Sequence, residues 1–218
     1  MTEPFSNRVE AGRRLAARLV QYAGRSDVIV LGLPRGGVPV AAEVARELGA
    51  PLDVFLVRKL GVPGHPEFAM GAIAESGHQV LDEHLVDQLN IPRALIDRTL
   101  AHEHLEIERQ NRVFRDGRGK PDVQGKTVIV VDDGLATGAT MLAALTALRE
   151  GGARSVVAAA PVGAPGTIER LRPHADAVVC VEAPPDFDAV GRWYVDFSPT
   201  TDGEVKDCLT RGAQAATS

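Results

Sequence analysis

The sequence predicts an α/β fold in which a parallel sheet of about five strands is flanked by helices. Apolar, β-branched runs recur along the chain, and segments with apolar residues at helical spacing lie between most of them. Continuous apolar runs are typical of strands that are buried on both faces of a parallel sheet. The predicted strands are residues 28–33, 54–57, 128–131, 156–160 and 177–181.

Six segments carry the helical pattern. Glycines follow two of them, at Gly49 and at positions 151 and 152, and glycine commonly ends a helix. The predicted helices are residues 8–22, 38–48, 92–115, 138–149, 165–171 and 203–209.

Residues 59–91 interrupt the alternation of strands and helices with several glycines and prolines. Within them, residues 68–74 and 78–81 are predicted to pair as a hairpin across the turn Glu75-Ser76-Gly77. A segment of this composition beside a ligand site is typical of a mobile flap, so we interpret residues 59–91 as a flap.

Composition favours one cytoplasmic domain, residues 1–218. The 218 residues are 44% hydrophobic, and the net charge of −5 without a run of five like charges indicates no nucleic-acid surface. No apolar stretch approaches the ~20 residues that span a bilayer, and no apolar signal core begins the chain. Cys180 and Cys208 fit reduced thiols. We therefore expect a cytoplasmic protein that binds neither nucleic acid nor membranes.

The most informative motif follows the third predicted strand. Residues 128–131 are all Val or Ile, and Asp132, Asp133 and a loop of small and hydroxyl-bearing residues come directly after them. Ligands of open α/β sheets bind at the carboxyl ends of strands, so Thr137 and Thr140 are placed to face an anion at a helix start. Buried acids need cations or hydroxyl groups as partners. This arrangement suits a sugar phosphate, and the structural alternative is a core strand before a threonine-capped helix.

A second candidate anion loop follows the first strand. Residues 31–37 read Leu-Gly-Leu-Pro-Arg-Gly-Gly, which combines exposed N–H groups with a guanidinium at a helix start. The loop is neither a Walker A nor a dinucleotide-binding sequence, so by itself it predicts only a structural turn. Arg58 and Lys59 follow the second predicted strand, which aims them at the same crevice, although two cations at a strand end are ordinarily solvated.

The motif at residues 128–140 resembles the phosphoribosyl diphosphate (PRPP) motif of type I phosphoribosyltransferases, which has four apolar residues, two acids and a loop with Thr-Gly-x-Thr. The resemblance implies that Asp132 and Asp133 hold the ribose hydroxyls. The loop residues that it assigns to the 5′-phosphate are Ala136, Thr137, Gly138, Ala139 and Thr140. The residues that it assigns to pyrophosphate are Arg35, Gly36, Gly37, Arg58 and Lys59.

Several features resemble the adenine branch of this family. They are Arg-Lys at 58–59, a following Pro-Gly, the Glu-Ser-Gly turn and the sequence of residues 132–141. In that branch the flap glutamate exchanges a proton with the base, and Glu75 is the matching residue. Val62 stands where a basic residue is common, the aromatic beside the flap glutamate is missing, and Ala136 replaces the acid of 6-oxopurine enzymes. The identity of the base stays open.

Residues 183–212 are predicted to form a small hood that contains the aromatic patch Trp193, Tyr194 and Phe197. Trp193 either stacks on the base or packs in the core, since buried aromatic side chains normally pack. His65, in the flap, either contacts substrate or is exposed. The sequence does not decide between these roles.

The resemblance implies transfer of ribosyl 5-phosphate from PRPP to a nitrogen base, such as a purine, with release of pyrophosphate. Mg²⁺ is expected as the cofactor and arrives with PRPP near Asp132 and Asp133, without a direct protein ligand. A homodimer is also expected. Two alternatives stay open: a non-catalytic regulator that senses PRPP or a nucleotide, and a hydrolase of ribosyl phosphates. The residues assigned a catalytic role are Arg35, Lys59 and Glu75.

Overall fold

The computed structural model describes residues 3–117 and 119–215, with the backbone alone for residues 66–68, 214 and 215. The helices are α1 (Arg8–Ala17), α2 (Gly37–Leu48), α3 (Glu83–Gln88), α4 (Arg93–Arg115), α5 (Ala139–Glu150), α6 (Pro165–Leu171) and α7 (Asp202–Ala215). The strands are β1 (Val28–Gly32), β2 (Leu52–Val54), β3 (Val57–Val62), β4 (His65–Ala74), β5 (Gln79–Leu81), β6 (Thr127–Val131), β7 (Ser155–Val162) and β8 (Ala177–Glu182). Short 3₁₀ turns lie at Val20–Tyr22, Arg172–His174 and Val190–Trp193.

Five strands form the main sheet in the order β2-β1-β6-β7-β8, and every neighbouring pair is parallel. All five residues of β1 and of β6 are buried, as expected for central strands with helices on both faces. The predicted fold class is therefore confirmed. Four of the five predicted strands lie within two residues of their predicted bounds.

Side chains alternate between two hydrophobic cores on the two faces of this sheet. Val28 and Val30 of β1 pack with α1, α2, α4 and α7, whereas Ile29 and Leu31 pack with α5 and α6. Both faces are thus covered by helices, and ligand access is left to the edge where the strands end.

The strand order reverses at β1, because β2 lies on one side of it and β6 on the other. The loops that leave β1 and β6 therefore diverge and open a crevice at the carboxyl ends of these strands, which is where open α/β sheets bind ligands. These are the loops at residues 31–37 and 132–140 that the sequence singles out.

Residues 57–81 form a second, antiparallel sheet in the order β3-β4-β5. Gly71 pairs with Leu81 and Ile73 with Gln79, which confirms the predicted hairpin. Motion of residues 59–91 as a flap stays a prediction.

The predicted strand at residues 54–57 is wrong as a single element. The parallel strand β2 ends at Val54, and Val57 already begins β3 of the second sheet, so Arg58 and Lys59 lie within a strand and not after one. The reason is that Val54 to Val57 are all buried and apolar, and nothing in such a run marks where the chain changes sheets. The sequence also missed α3, which begins at Glu83 and is capped by Asp82, whose carboxylate accepts from the Leu85 amide.

The single domain of residues 1–218 and the hood at residues 183–212 stay predictions, and residues 1, 2, 118 and 216–218 lie outside the described residues. Among the helices of the described ranges, none combines the length and the apolar character needed to cross a bilayer.

Candidate active site

The loop between β6 and α5 turns its carbonyl groups away from the crevice. The Thr167 hydroxyl donates to the Ala136 carbonyl at 2.5 Å, and the Arg170 guanidinium donates to the Thr137 carbonyl at 2.5 Å. Gly138 has a φ of 72°, and a β-carbon there would lie 2.6 Å from Thr167. Glycine is therefore required at this close approach to α6.

The amides of the same loop are left without partners inside the protein. In the described part of the chain, the N–H groups of residues 136–141 donate to no protein acceptor. Ala139, Thr140 and Met141 form the first turn of α5, where orphan N–H groups favour an anion. With Asp132 these loop residues line a cavity of about 170 Å³. The loop has the properties of a phosphate site.

The two acids lie at the start of this loop. The Asp133 amide donates to Asp132 Oδ1 at 2.9 Å, and the Tyr194 hydroxyl donates to the Asp133 carbonyl at 2.6 Å. Burial, and then the neighbouring Asp133 carboxylate, raise the pKa of Asp132 well above its ordinary value. Burial also raises the pKa of Asp133, although the Arg8 guanidinium opposes the shift. Within the described residues, Arg8 is thus the one cationic partner of these acids, and it offsets only part of the effect of burial on Asp133.

The loop after β1 touches the acids directly. A β-carbon at Gly36 would overlap the Asp133 carboxylate, and one at Gly37 would lie 2.5 Å from the Val131 carbonyl oxygen and 2.9 Å from Asp132 Cα. The Leu33 amide donates to the same Val131 carbonyl at 2.9 Å. The structure therefore brings the two predicted loops together, and glycine at both positions permits the contact.

Arg35 precedes these glycines, after a cis peptide bond to Pro34. Its side chain is 53% exposed, and Nη1 lies 3.8 Å from Asp202 Oδ1 at the start of α7. The other oxygen of Asp202 accepts from Arg109 of α4 at 3.3 Å. Arg35 is thus at the crevice edge and only weakly held.

Arg58 and Lys59 point in opposite directions because successive residues of a strand do so. Arg58 Nε donates to Glu103 of α4 at 2.8 Å. Lys59 is exposed and pairs across the strands with Ala72. Ala72 lines a cavity of about 610 Å³ together with Thr137 and Gly138 of the phosphate loop. Lys59 thus shares a face with Ala72, which lines this cavity, whereas Arg58 lies on the opposite face against α4.

The structure does not bring the Glu75 carboxylate to these loops. The residue is 6% exposed, and its carboxylate accepts from Arg115 Nη1 at 2.5 Å and from Nη2 at 2.9 Å. Arg115 is 1% exposed and also donates to the Val54 carbonyl at 2.8 Å. Glu75 joins the hairpin turn to the end of α4 in a buried ion pair, which is a structural position.

The aromatic patch serves two purposes. Tyr194 packs in a small core with its ring centroid 5.4 Å from that of Phe5 and 5.0 Å from that of Phe197. Trp193 is partly buried against the same core and also lines a cavity of about 510 Å³ beside Glu182, and in the described residues its indole N–H donates to no acceptor. Stacking of Trp193 on a base stays a prediction. His65 begins β4, directly after the turn that follows β3.

The sequence missed three residues that shape the site, Arg8, Thr167 and Arg170, and the contact of Tyr194 with the Asp133 carbonyl. Each contacts a loop from a distant part of the chain, and Arg8 is 125 residues away from its partner Asp133. Backbone pairing of Phe5 with Tyr194 also places N-terminal residues beside the predicted hood. No local pattern marks these residues.

Comparison with known proteins gives four findings. Residues 4–197 match the sequence model of the phosphoribosyl transferase domain. A Mycobacterium tuberculosis protein, provisionally named a phosphoribosyl transferase, is 47% identical over 207 residues, which are 95% of this chain and 46% of that protein. This chain therefore spans about half the length of that relative.

A crystal structure of a Thermus thermophilus protein is similar with a TM-score of 0.80 and 44% identity, over 95% of this chain and 98% of that one. A ribose-phosphate pyrophosphokinase of Pyrococcus abyssi is 46% identical over 77 residues, which cover 33% of this chain and 26% of that protein.

Proposed function

Since the chain belongs to the phosphoribosyl transferase family, we propose that it transfers ribosyl 5-phosphate from PRPP to a nitrogen base and releases pyrophosphate. The bond between the anomeric carbon and the pyrophosphate oxygen breaks, and its electron pair leaves with pyrophosphate. A bond from the anomeric carbon to the base nitrogen forms, and that nitrogen loses its proton. Purines are the first acceptors to test because of the adenine-branch features of the sequence.

The contact between the two loops is the observation that carries this proposal. PRPP presents a 5′-phosphate, two ribose hydroxyls and a pyrophosphate on one small molecule, so its sites must be adjacent. Unpaired amides of residues 136–141, the acids Asp132 and Asp133, and the loop at Gly36 and Gly37 lie side by side at the strand ends. They offer the three kinds of site in one crevice.

The charges of the crevice suit the transition state of this reaction. Cleavage at the anomeric carbon creates positive charge on the ribose and negative charge on the departing pyrophosphate. Arg35 and Lys59 meet the negative charge, and the acids lie beside the sugar. Removal of one such preorganised donor typically costs about 3 to 4 kcal/mol, or 10² to 10³ in rate.

Mg²⁺ is the cofactor that the residues fit. Asp132 and Asp133 would lie near a Mg²⁺ that arrives with PRPP, and among the described side chains Arg8, which pairs with Asp133, is the single cation that touches either acid. The acids thus keep net negative charge for a cation. A bound Mg²⁺ would neutralise charge on the pyrophosphate as it leaves.

A regulator that binds PRPP without turnover is the second candidate, and one observation favours it. Two of the residues that the resemblance assigns beyond the sugar, Arg58 and Glu75, are engaged in ion pairs with Glu103 and Arg115. The residues proposed for the ribose and the 5′-phosphate do not include these two, whereas Glu75 is the residue that the resemblance assigns to proton exchange with the base.

A panel of purine, pyrimidine and other nitrogen bases, mixed with PRPP and Mg²⁺ and read out by pyrophosphate release, tests the proposal. We expect release that depends on one base and stops in excess chelator. Equal release without any base would indicate a hydrolase. Saturable PRPP binding in calorimetry, with no release for any base, would indicate the regulator.

A further inference from the structure

The Arg8 guanidinium joins three distant segments of the chain beneath the crevice. Its Nε and Nη2 each lie 2.9 Å from Asp133 Oδ2, and its Nη1 donates to the Ser198 carbonyl at 2.8 Å. The guanidinium carbon lies 4.1 Å from the centre of the Phe197 ring. Arg8 is the first residue of α1, and the Asn7 side chain caps that helix by accepting from the Glu10 amide. The start of α1 therefore holds the guanidinium in place.

This arrangement treats the two oxygens of Asp133 differently. Arg8 occupies Oδ2 with two donors, and Gly36 closes the same side, since a β-carbon there would overlap this oxygen. Within the described residues, Oδ1 accepts from no group. The carboxylate is thus fixed with one oxygen engaged and the other available.

The pair is also shielded from water. The Arg8 side chain is 12% exposed and that of Asp133 is 15% exposed. Charge-assisted hydrogen bonds that are shielded in this way orient both partners more strongly than an exposed pair does. A ligand group that meets Oδ1 therefore finds an acceptor whose position is already set.

We propose that Arg8 is a positioning residue of the ribose site, which holds Asp133 so that Oδ1 accepts from a ribose hydroxyl. This inference rests on the proposed function, because it takes PRPP as the ligand. Arg8 acts only through Asp133 and makes no contact with the substrate.

Calorimetric titration of the protein with PRPP and Mg²⁺ tests the inference through affinity and stoichiometry together. Loss of a residue that orients a ligand group typically costs 10- to 100-fold in affinity at metal sites, and we expect a similar loss of PRPP affinity in Arg8→Met, roughly tenfold or more. Binding stoichiometry should stay at the wild-type value. Arg8→Lys, which keeps the charge, should fall between the two. Arg13→Met is the matched control, because Arg13 lies on the same helix but is 61% exposed and pairs with Glu43.

A double-mutant cycle with Asp133→Asn shows whether Arg8 acts through Asp133. We expect Arg8→Met to cause little further loss when Asp133 is already Asn. An equal loss in both backgrounds would overturn the inference, as would wild-type affinity with reduced stoichiometry, which would mean a purely structural contact. If Arg8→Met does not fold, Arg8→Lys takes its place in the cycle. Wild-type PRPP affinity in Arg8→Lys would then overturn the inference, as would a loss of affinity that adds in full to the loss caused by Asp133→Asn. Failure of the wild-type protein itself to bind PRPP would instead defeat the proposed function.

Discussion

Two walls face each other across the cavity of about 610 Å³, and they differ in how their polar groups are satisfied. On the sugar-phosphate wall, residues 132–141, six successive amides and one oxygen of each carboxylate, Asp132 Oδ2 and Asp133 Oδ1, have no hydrogen-bond partner within the described residues. On the hairpin wall, residues 57–81, Arg58 pairs with Glu103, Glu75 with Arg115, and His78 with Glu150 at 2.7 Å.

The difference separates polar groups that are free to bind a ligand from polar groups that stabilise the fold. Buried polar groups are normally hydrogen-bonded, so a run of unpaired amides marks a place where something else binds. Arg58, Glu75 and His78 of the hairpin wall, by contrast, pair with other residues of the protein. A charged residue that matches a family motif is therefore not by itself a site residue, and variants of both walls test this distinction.

The largest effect is expected for Glu75→Gln, on stability. Removing one partner of a buried ion pair costs about 3 to 5 kcal/mol, and we expect the lower end of this range because Asp53 still lies 3.5 Å from Arg115 Nε. For a chain of this size that is a fall in Tm of roughly 10 °C. Thermal denaturation followed by circular dichroism measures it. Glu83→Gln, at an exposed glutamate on α3, is the control and should change Tm little.

The opposite outcome would restore the role implied by the family resemblance. If Glu75→Gln keeps the wild-type Tm but lowers kcat and alters one limb of the pH profile, the carboxylate exchanges a proton with the base. In that case the ion pair with Arg115 would have to open during the reaction.

The next largest effect is expected when two neighbouring residues of β3, Lys59 and Arg58, are each changed to methionine. Lys59→Met should lower kcat by about 10² to 10³, because Lys59 shares a face with Ala72, which lines the cavity, and meets charge that grows in the transition state. Arg58→Met should keep kcat and lower stability by at most about 1 kcal/mol, the usual value of a partly exposed ion pair. Steady-state kinetics with the best base compares them. Equal losses of kcat in both variants would contradict the separation of the two faces.

Gly36→Ala tests whether the close contact between the two loops is needed for PRPP binding. Its β-carbon would overlap the Asp133 carboxylate, and such overpacking costs about 1 to 3 kcal/mol, so PRPP affinity should fall roughly tenfold or more. Gly166→Ala is the control, because a β-carbon there meets nothing within 4 Å. Calorimetry with PRPP and Mg²⁺ measures both. If the two alanine variants bind PRPP with the same affinity, the position of Asp133 beside Gly36 is not needed for PRPP binding.

The sequence predicted the features that local patterns determine. The parallel strands follow from β-branched runs, and the acids and phosphate loop lie within thirteen consecutive residues. It failed where distant residues decide the outcome: Arg8 reaches Asp133 across 125 positions, and Arg115 buries Glu75 across 40. Spacing along the chain cannot tell a flap glutamate in water from one that a helix end covers. The prediction of a single strand at residues 54–57 failed for the same reason, because its two ends pair with strands of different sheets.

The smallest effect, and the one of opposite sign, is expected for Asp132→Asn. The pKa of Asp132 in the folded protein is raised above its value in the unfolded chain, about 3.9. Between the two values the folded state holds more protons, so the contribution of this residue to stability is fully present below the unfolded pKa. It is lost as the pH rises through the folded pKa. At neutral pH Asp132 therefore contributes less to the stability of the fold than it does at low pH.

Asparagine has no charge to bury, and its side-chain oxygen can still accept from the Asp133 amide. Asp132→Asn should therefore raise stability at pH 8 by about 1 kcal/mol, the usual gain when a strained functional residue is relieved, and by less at pH 5. PRPP binding should weaken in the same variant, because an anionic acceptor for the ribose hydroxyls is lost. Thermal denaturation at the two pH values and calorimetry with PRPP measure the two changes. A variant that loses stability at both pH values would show that groups of the protein itself stabilise the ionised Asp132 carboxylate. Asp132 would then not be an unsatisfied ligand-binding group of the sugar-phosphate wall.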